Sequence, residues 1–193
     1  SIAVNLQTGV AADGVGGRDE LRNINSVFGG DHADHLTGST RLVFESFEGR
    51  GGNDTIDGGA ITDTREGDNT NRAQFSGINL AVVVDLAAGT ATGQGNDRLF
   101  NINYARGSNL ADTLLGSNRT DVGETLEGMG GNDVLNGRGG LDTARYDYAP
   151  NGVNASLATG NAFVNAGDRD TLTAIEGLRG SHYNDSLVGG NAA

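Results

Sequence analysis

The sequence predicts an all-β fold, a right-handed parallel β-roll or β-helix solenoid whose short strands are joined by Gly-Asp turns. Three observations predict it. One long segment occurs three times, a single apolar residue follows each Gly-rich turn in an x-hydrophobic-x pattern, and helical periodicity is weak throughout. We therefore treat residues 1–193 as a single repeat array.

Aspartate spacing defines the recurring segment, which starts at Val4, again at Val84 and again at Ala155. In each copy two aspartates lie 15 residues apart, and a leucine follows each of them by two positions; the pairs are Asp19 and Asp34, Asp97 and Asp112, and Asp170 and Asp185. This register predicts repeat units of roughly 70–80 residues, at about 4–77, 84–152 and 155–193. The third unit is incomplete, so we expect the chain to be part of a longer array.

Between these segments lie Gly-rich turns that end in Asp and lead into a short strand. They read GRGGND-TID over 49–57 and GMGGND-VLN over 128–136, followed by GRGGLD over 137–142. Because side chains alternate along a strand, each short strand offers one inward apolar residue; the predicted core residues are Leu36, Ile56, Leu114, Leu135 and Leu187. The runs 78–86 and 152–164 are rich in β-branched residues and predict longer strands.

Composition limits the size of the core and the kinds of partner. Only 36% of the residues are hydrophobic and 5% aromatic, while Gly occurs 33 times and Pro once, which favours many tight turns around a thin apolar layer. The net charge is −12 and every basic residue is Arg, so nucleic acid is not an expected partner. Cys is absent, which excludes disulfides and thiolate metal sites, and we expect no membrane span because no apolar stretch approaches ~18 residues.

The Gly-Asp turns suit the coordination chemistry of calcium. Ca²⁺ takes six to eight oxygen ligands from carboxylates, backbone carbonyls and water. A Gly-rich turn can direct several carbonyls at one point because no Cβ obstructs the approach, and its terminal Asp adds a charged ligand. Two turns stacked one coil apart can then enclose an ion that neither turn could hold alone.

These turns resemble the nonapeptide G-G-x-G-x-D-x-U-x of the repeats-in-toxin (RTX) family, the hemolysin-type calcium-binding repeats. The match is closest at 49–57 and 128–142, and the intervening segments resemble those found between RTX repeats. The resemblance implies a calcium β-roll with several Ca²⁺ ions. It also implies a bacterial protein exported by a type I system to the cell surface or the medium, unfolded at low calcium and folded at high calcium.

The resemblance further implies that Asp side chains are metal ligands and that Gly and Asn contribute mainly backbone carbonyls. The metal-binding residues expected on this basis are Gly14, Gly16, Asp19, Asp34, Gly49, Gly51, Asn53, Asp54, Asp63, Gly93, Gly95, Asp97, Asp112, Gly128, Gly130, Asn132, Asp133, Gly137, Gly139, Asp142, Asp170 and Asp185.

Several turns depart from the nonapeptide. The inner residues of 29–34, 107–112 and 180–185 are not the expected glycines, Ile61 replaces a turn Gly before Asp63, and Ala166 and Asp168 precede Asp170. Each departure weakens the case for an ion at that turn. We therefore expect fewer ions than turns.

Enzymatic motifs are missing from the sequence. There is no HExxH, G-x-S-x-G or Walker loop, so we expect no catalysis by this chain. The histidines His32 and His182 occupy nearly equivalent turn positions, which favours a place in the turn over a zinc site. Tyr146 and Tyr148 alternate along a strand, and we expect a core or edge role ahead of stacking on a sugar.

The function predicted from the sequence is a secreted, calcium-folded structural or adhesive module, a scaffold of a surface layer, adhesin or extracellular filament with possible self-association. One alternative is a module that aids secretion of, or binds glycan for, an extracellular polysaccharide-active enzyme or protease. Another is a calcium-free solenoid whose Gly-Asp turns are only structural, since Asn, Asp and Gly are common turn residues without any metal.

Overall fold

A computed structural model describes residues 1–41, 43–61, 70–165 and 167–190 of the chain. These residues form short strands and no helix, so none of them belongs to a helix that could cross a membrane. The strands are β1 (Ala3–Asn5), β2 (Val10–Ala12), β3 (Arg18–Glu20), β4 (Ser26–Phe28), β5 (His35–Thr37), β6 (Glu45–Glu48), β7 (Thr55–Asp57), β8 (Asn71–Gln74), β9 (Val83–Asp85), β10 (Thr90–Thr92), β11 (Asn96–Phe100), β12 (Tyr104–Arg106), β13 (Thr113–Leu115), β14 (Thr125–Glu127), β15 (Val134–Asn136), β16 (Thr143–Arg145), β17 (Asn154–Ser156), β18 (Asn161–Asn165), β19 (Asp168–Thr173), β20 (Gly177–Arg179) and β21 (Ser186–Val188).

The strands form two sheets between which the chain alternates. Sheet A has 14 strands in the order β21-β17-β18-β19-β15-β13-β9-β10-β11-β7-β5-β1-β2-β3, and sheet B has seven in the order β20-β16-β14-β12-β8-β6-β4. Every pairing within sheet B is parallel, as are the pairings in sheet A between successive coils. The predicted all-β parallel β-roll is therefore confirmed, while its right-handed winding stays a prediction.

Sheet A also contains three antiparallel meanders, β1–β3, β9–β11 and β17–β19. The prediction of longer strands over 78–86 and 152–164 was wrong. In the first run only β9 is a strand, and in the second the chain reverses direction between β17 and β18. Gly89 has φ +66°, and a Cβ there would lie 2.7 Å from the carbonyl oxygen of Leu99. The side chain of Asp85 fixes the turn by accepting the N–H of Ala88 at 2.9 Å. Gly160 takes the same conformation, with φ +67°.

The core is a single layer between the sheets, with mostly one inward residue per strand. Leu36, Ile56, Leu114 and Leu135 are fully buried as predicted, opposite Phe47, Leu126 and the small side chains Ala73, Ala105 and Ala144 of sheet B. The prediction for Leu187 was wrong, since its side chain is 43% exposed. It lies on β21, which pairs only with β17 among the described residues.

Turns that connect the sheets line the two edges of the roll. The turns that lead into sheet A end in aspartate immediately before β5, β7, β13, β15 and β21, at Asp34, Asp54, Asp112, Asp133 and Asp185. The turns that lead into sheet B carry carboxylates before β14, β16 and β20, at Glu124, Asp142 and Glu176. The fold therefore places a row of carboxylates at each edge.

Candidate metal centre

Aspartates on adjacent coils are linked by a ladder of side-chain to backbone hydrogen bonds. The N–H of Asp34 donates to Oδ1 of Asp54 at 2.9 Å, and the N–H of Asp54 donates to Oδ1 of Asp97 at 2.9 Å. Ile2 begins this series by donating its N–H to Oδ1 of Asp34 at 2.7 Å. One oxygen of each carboxylate therefore accepts a backbone hydrogen bond from the neighbouring coil.

The same ladder recurs beyond the second meander. Val82 donates its N–H to Asp112 at 2.8 Å, Asp112 donates to Asp133 at 2.8 Å, and Asp133 donates to Asp170 at 2.9 Å. After the third meander, the N–H of Val153 donates to Oδ1 of Asp185 at 2.8 Å. The two complete series have the same composition, one apolar residue followed by three aspartates.

The second carboxylate oxygen separates the turns into two groups. In the first group Oδ2 accepts the backbone N–H of the second residue of its own turn; the pairs are Gly30 to Asp34 at 2.6 Å, Ser108 to Asp112 at 2.5 Å and Ser181 to Asp185 at 2.9 Å. We call these the closed turns. Their carboxylates have both oxygens engaged by the protein.

In the second group the Asp Oδ2 atom has no hydrogen-bond partner. These open turns end at Asp54, Asp133 and Asp142, whose side chains are each 1% exposed. Oδ1 of Asp142 still accepts the N–H of Glu124 at 3.0 Å, so only Oδ2 is unsatisfied. A buried carboxylate oxygen without a partner is costly, which makes these three atoms candidate metal ligands.

Backbone conformation distinguishes the open turns from the closed turns. Their second residue is left-handed, with φ of +67° at Arg50, +78° at Met129 and +65° at Arg138. None of the second residues in the closed turns has a positive φ. A left-handed second residue therefore accompanies a free Oδ2 in all three open turns, and at Arg138 the N–H donates instead to Asn136 Oδ1 at 2.9 Å.

The first glycine of each open turn lies directly beneath the free oxygen. A Cβ at Gly49 would be 2.1 Å from Oδ2 of Asp54, and a Cβ at Gly128 would be 1.9 Å from Oδ2 of Asp133. The corresponding distance from Gly137 to Asp142 is 2.5 Å. Glycine is therefore required sterically at this position, whichever ligand the turn holds.

Burial makes the charge of the open-turn carboxylates expensive. It raises the pKa of Asp133 to about 8, and the neighbouring carboxylates of Asp170, Asp112 and Asp168 add to the rise. Burial also raises the pKa of Asp142 to about 7, together with two nearby glutamates. A bound cation would stabilise both carboxylates in the charged form.

Two of the meander aspartates, Asp97 and Asp170, accept an N–H from the neighbouring coil and carry no buried oxygen without a partner. Asp97 and Asp170 lie in β11 and β19, and burial raises the pKa of each to about 6. The corresponding residue Asp19 lies exposed in β3. Asp63 falls outside the described residues. The assignment of all four as ligands stays a prediction.

The remaining predicted residues shape the turns. Asn53 and Asn132 each accept a backbone N–H from the next strand with Oδ1, at 2.9 and 2.8 Å, so their side chains already have a structural role. Gly14 and Gly16 have positive φ in an exposed turn, Gly93 has φ +152°, and a Cβ at Gly95 would lie 1.6 Å from the Gly52 carbonyl oxygen. The third-position glycines have no such close contact; they are Gly51, Gly130 and Gly139.

Sequence reasoning missed three carboxylates that the fold brings to the turns. Glu124 and Glu176 flank Asp142, with Glu176 Oε2 accepting the Asp142 N–H at 2.9 Å. Asp168 is 7% exposed and its Oδ1 has no partner. The Asp-x-Asp pair formed by Asp168 and Asp170 was visible in the sequence, but only the fold shows that it faces Asp133.

Side chains alone do not form a complete metal site. Among the residues that the structure describes, no three or more His, Cys, Asp or Glu side chains are placed together to hold a metal ion. A cation at an open turn would therefore need backbone carbonyls and water in addition to Asp Oδ2. This mixture of ligands is the one that calcium accepts.

Comparison with known families agrees with this division of the turns. The model of the RTX calcium-binding nonapeptide repeat matches residues 45–64 and 120–145, in four copies. These ranges contain the three open turns, and the three closed turns lie outside them. No curated protein matches the chain.

Proposed function

Because the chain carries RTX calcium-binding nonapeptide repeats and is to that extent a calcium-binding module, we propose that calcium is its folding ligand. Three ions would lie at the open turns that end in Asp54, Asp133 and Asp142. The observation that carries this proposal is the buried, unpartnered Oδ2 atom at each of these turns.

The energetic argument concerns what those carboxylates do without a cation. A buried charge is strongly unfavourable unless it is paired, and the core of this roll is a single layer of side chains. A cation that binds only the folded chain adds stability that rises with the logarithm of its concentration. Extracellular calcium modules have dissociation constants of about 10⁻⁴–10⁻³ M, which would leave such a chain unfolded in the cytosol and folded outside.

The closed turns would be structural under this proposal. Asp34, Asp112 and Asp185 have both oxygens engaged by backbone N–H groups. In two of them a serine hydroxyl, from Ser108 or Ser181, also contacts the carboxylate, at 3.0 and 2.7 Å. Binding calcium at these turns would require breaking those bonds.

Counting calcium ions tests the proposal. Isothermal titration of chelator-stripped protein is expected to give three ions, and the Asp54→Asn, Asp133→Asn and Asp142→Asn variants should each lose one. Asp34→Asn is the matched control and should retain all three. Absence of calcium binding by the wild-type chain, or full stoichiometry in the three open-turn variants, would contradict the proposal.

As its biological role we propose a secreted or cell-surface scaffold. A calcium-dependent fold and a net charge of −12 suit an extracellular structural or adhesive module. Sedimentation of the chain with and without calcium would show whether folded copies associate. A calcium-folded chain that stays monomeric at high concentration would count against the filament form of this role.

A groove on the outer face of sheet B supports a second candidate, glycan binding. It measures about 830 Å³, and Tyr104, Thr125 and Thr143 from three neighbouring strands line it beside Arg145 and Arg179. Neighbouring strands lie ~4.8 Å apart, close to the length of one sugar ring in a polysaccharide. Titration with acidic and neutral oligosaccharides would test this role, with Thr143→Tyr as the variant that fills the groove. Retained affinity in Thr143→Tyr would place any binding elsewhere.

A further inference from the structure

Two junctions in sheet A share one architecture and differ in chemistry. At the first, β7 pairs with the meander strand β11; at the second, β15 pairs with the meander strand β19. In each junction the Asn of an open turn accepts an N–H from the meander strand, through Asn53 from Asn96 and through Asn132 from Arg169. The backbones of the two junctions are therefore held in the same way.

The aspartates of the two junctions also correspond. Asp54 donates its N–H to Asp97, and Asp133 donates its N–H to Asp170, each at 2.9 Å. The register of the strands agrees, because Thr55 pairs with Arg98 and Val134 pairs with Thr171. The residue two positions before the meander aspartate can therefore be compared directly.

That comparison shows a carboxylate present at one junction only. The residue two positions before Asp97 is Gly95, whereas the residue two positions before Asp170 is Asp168. Asp168 is 7% exposed and its Oδ1 has no hydrogen-bond partner. At the second junction, two buried carboxylate oxygens are thus unsatisfied, one on Asp168 and one on Asp133.

A tyrosine accompanies the additional carboxylate. Tyr146 donates its hydroxyl to Oδ2 of Asp170 at 3.0 Å, while Oδ1 of Asp170 accepts the N–H of Asp133. Asp170 therefore has both oxygens engaged. At the first junction the equivalent position is Phe75, which follows β8 as Tyr146 follows β16. Phenylalanine has no hydroxyl and cannot make this bond.

We propose that Asp133 and Asp168 form a two-carboxylate calcium site at the junction of β15 and β19, and that this site fills first when calcium is added. The inference rests on the proposed function, that calcium binds the open turns. Tyr146 acts as a positioning residue, since it engages Asp170 and leaves Asp168 to face the ion. Carbonyl oxygens complete the coordination.

Charge explains why this site would bind more tightly than its counterpart. The affinity of calcium sites rises with the number of charged ligands and with their rigidity. Two buried carboxylates repel each other without a cation, and they regain that energy when a divalent ion lies between them. At the first junction Asp54 has no equivalent partner, because Gly95 carries no side chain.

A shared proton is the rival explanation for two unpartnered carboxylates. Terbium luminescence excited through tyrosine distinguishes the two, because Tyr146 lies beside the proposed site. The wild-type chain should show a first binding phase with strong emission. Asp168→Asn should weaken that phase at least about tenfold, because losing even an outer-shell partner of a metal ligand typically weakens binding about 10–100-fold. Asp121→Asn, at an exposed aspartate that is paired with Arg119, is the control and should leave the phase unchanged.

Two further variants keep the test decisive. Asp168→Gly introduces the residue found at position 95 and should behave like Asp168→Asn if folding in saturating calcium is retained by circular dichroism. Tyr146→Phe should abolish most of the emission of the first phase. Unchanged affinity in Asp168→Asn, with higher stability in chelator, would overturn the inference in favour of a proton-sharing pair. Absence of calcium binding by the wild-type chain would instead count against the proposed function.

Discussion

The carboxylates of Asp112 and Asp133 stand one coil apart on the same edge, yet only Asp112 has its second oxygen satisfied by the protein. The N–H of Asp112 donates to Oδ1 of Asp133 at 2.8 Å, so the two residues belong to one ladder. Oδ2 of Asp112 accepts the N–H of Ser108, while Oδ2 of Asp133 has no partner. The turn of Asp133 also differs in its backbone, since its second residue, Met129, is left-handed and Ser108 is not.

Substitution of paired aspartates should separate metal binding from structural support. Asp133→Asn removes a charge from an open turn and is expected to raise the calcium concentration at the folding midpoint at least about tenfold. Asp112→Asn places an amide where two backbone N–H groups point, and should cost about 1–3 kcal/mol of unfolding free energy at all calcium concentrations. Calcium titrations followed by circular dichroism measure both. Equal effects on the midpoint would contradict the division into open and closed turns.

Glycine substitutions in one turn should have opposite outcomes. A Cβ at Gly128 would lie 1.9 Å from the Asp133 Oδ2 atom, whereas the nearest atom to a Cβ at Gly130 is 3.7 Å away. Gly128→Ala should therefore abolish one calcium site and lower the folded fraction. Gly130→Ala should leave the stoichiometry unchanged, which makes it the control. Stoichiometry from isothermal titration decides, and loss of an ion in Gly130→Ala would be inconsistent with this geometry.

Acidification should stabilise the calcium-free chain. The folded-state pKa is raised to about 8 for Asp133 and to about 7 for Asp142, compared with ~3.9 for an unfolded aspartate. Between the unfolded and the folded pKa, the folded chain binds more protons than the unfolded chain. The unfolding free energy that this adds is fully present below the unfolded pKa and is lost as pH rises through 7 and 8. The groups that face Asp133 are Asp112, Asp168, Asp170 and the Tyr146 hydroxyl, and those that face Asp142 are Glu124 and Glu176.

Urea unfolding in chelator at pH 5 and pH 8 provides the measurement. Greater stability at pH 5 is expected, and calcium affinity should fall over the same range because protons compete for the carboxylates. The comparison is restricted to pH 5 and above because aspartates such as Asp85, paired with Arg138, have a lowered pKa. Protonation of these aspartates at lower pH would decrease the unfolding free energy. Stability that decreases from pH 8 to pH 5 would refute the account of the buried carboxylates.

The apolar layer should be as important as the metal sites. Leu135 is fully buried between the sheets, and Leu135→Ala should cost about 2–5 kcal/mol of unfolding free energy in saturating calcium. Val134 precedes it in the same strand and is 41% exposed, so Val134→Ala is expected to cost much less. Urea denaturation of the two variants checks this. Similar losses would mean that the layer is not the stabilising core.

Much of the fold could be predicted from the sequence because the aspartates and the inward apolar residues keep a constant spacing from one repeat to the next. The 15-residue aspartate spacing and the x-hydrophobic-x strands correctly placed Leu36, Ile56, Leu114 and Leu135 in one layer. The meanders could not be predicted, because the reversals at Gly89 and Gly160 depend on a left-handed backbone conformation. Gly160 lies inside the run 152–164, which has strand composition on both sides of it, and Gly89 follows the run 78–86.

The candidate site was predicted only in outline. Composition marks the Gly-Asp turns, but whether Oδ2 is free depends on one backbone angle, at Arg50, Met129 and Arg138. Arg and Met are not residue types that favour the left-handed conformation, so the sequence does not indicate that these positions adopt it. Asp168 was not among the predicted ligands, because its proximity to Asp133 arises between segments 35 residues apart along the chain.

The central claim, that calcium folds this chain through its open turns, is tested most directly by far-ultraviolet circular dichroism. Calcium is titrated into chelator-stripped protein at pH 7.5, with magnesium as the control. The account predicts a cooperative gain of β signal with calcium alone, at a midpoint that the Asp54→Asn and Asp133→Asn variants shift upward and Asp34→Asn does not. A β spectrum that is already complete in chelator and unchanged by calcium would contradict it.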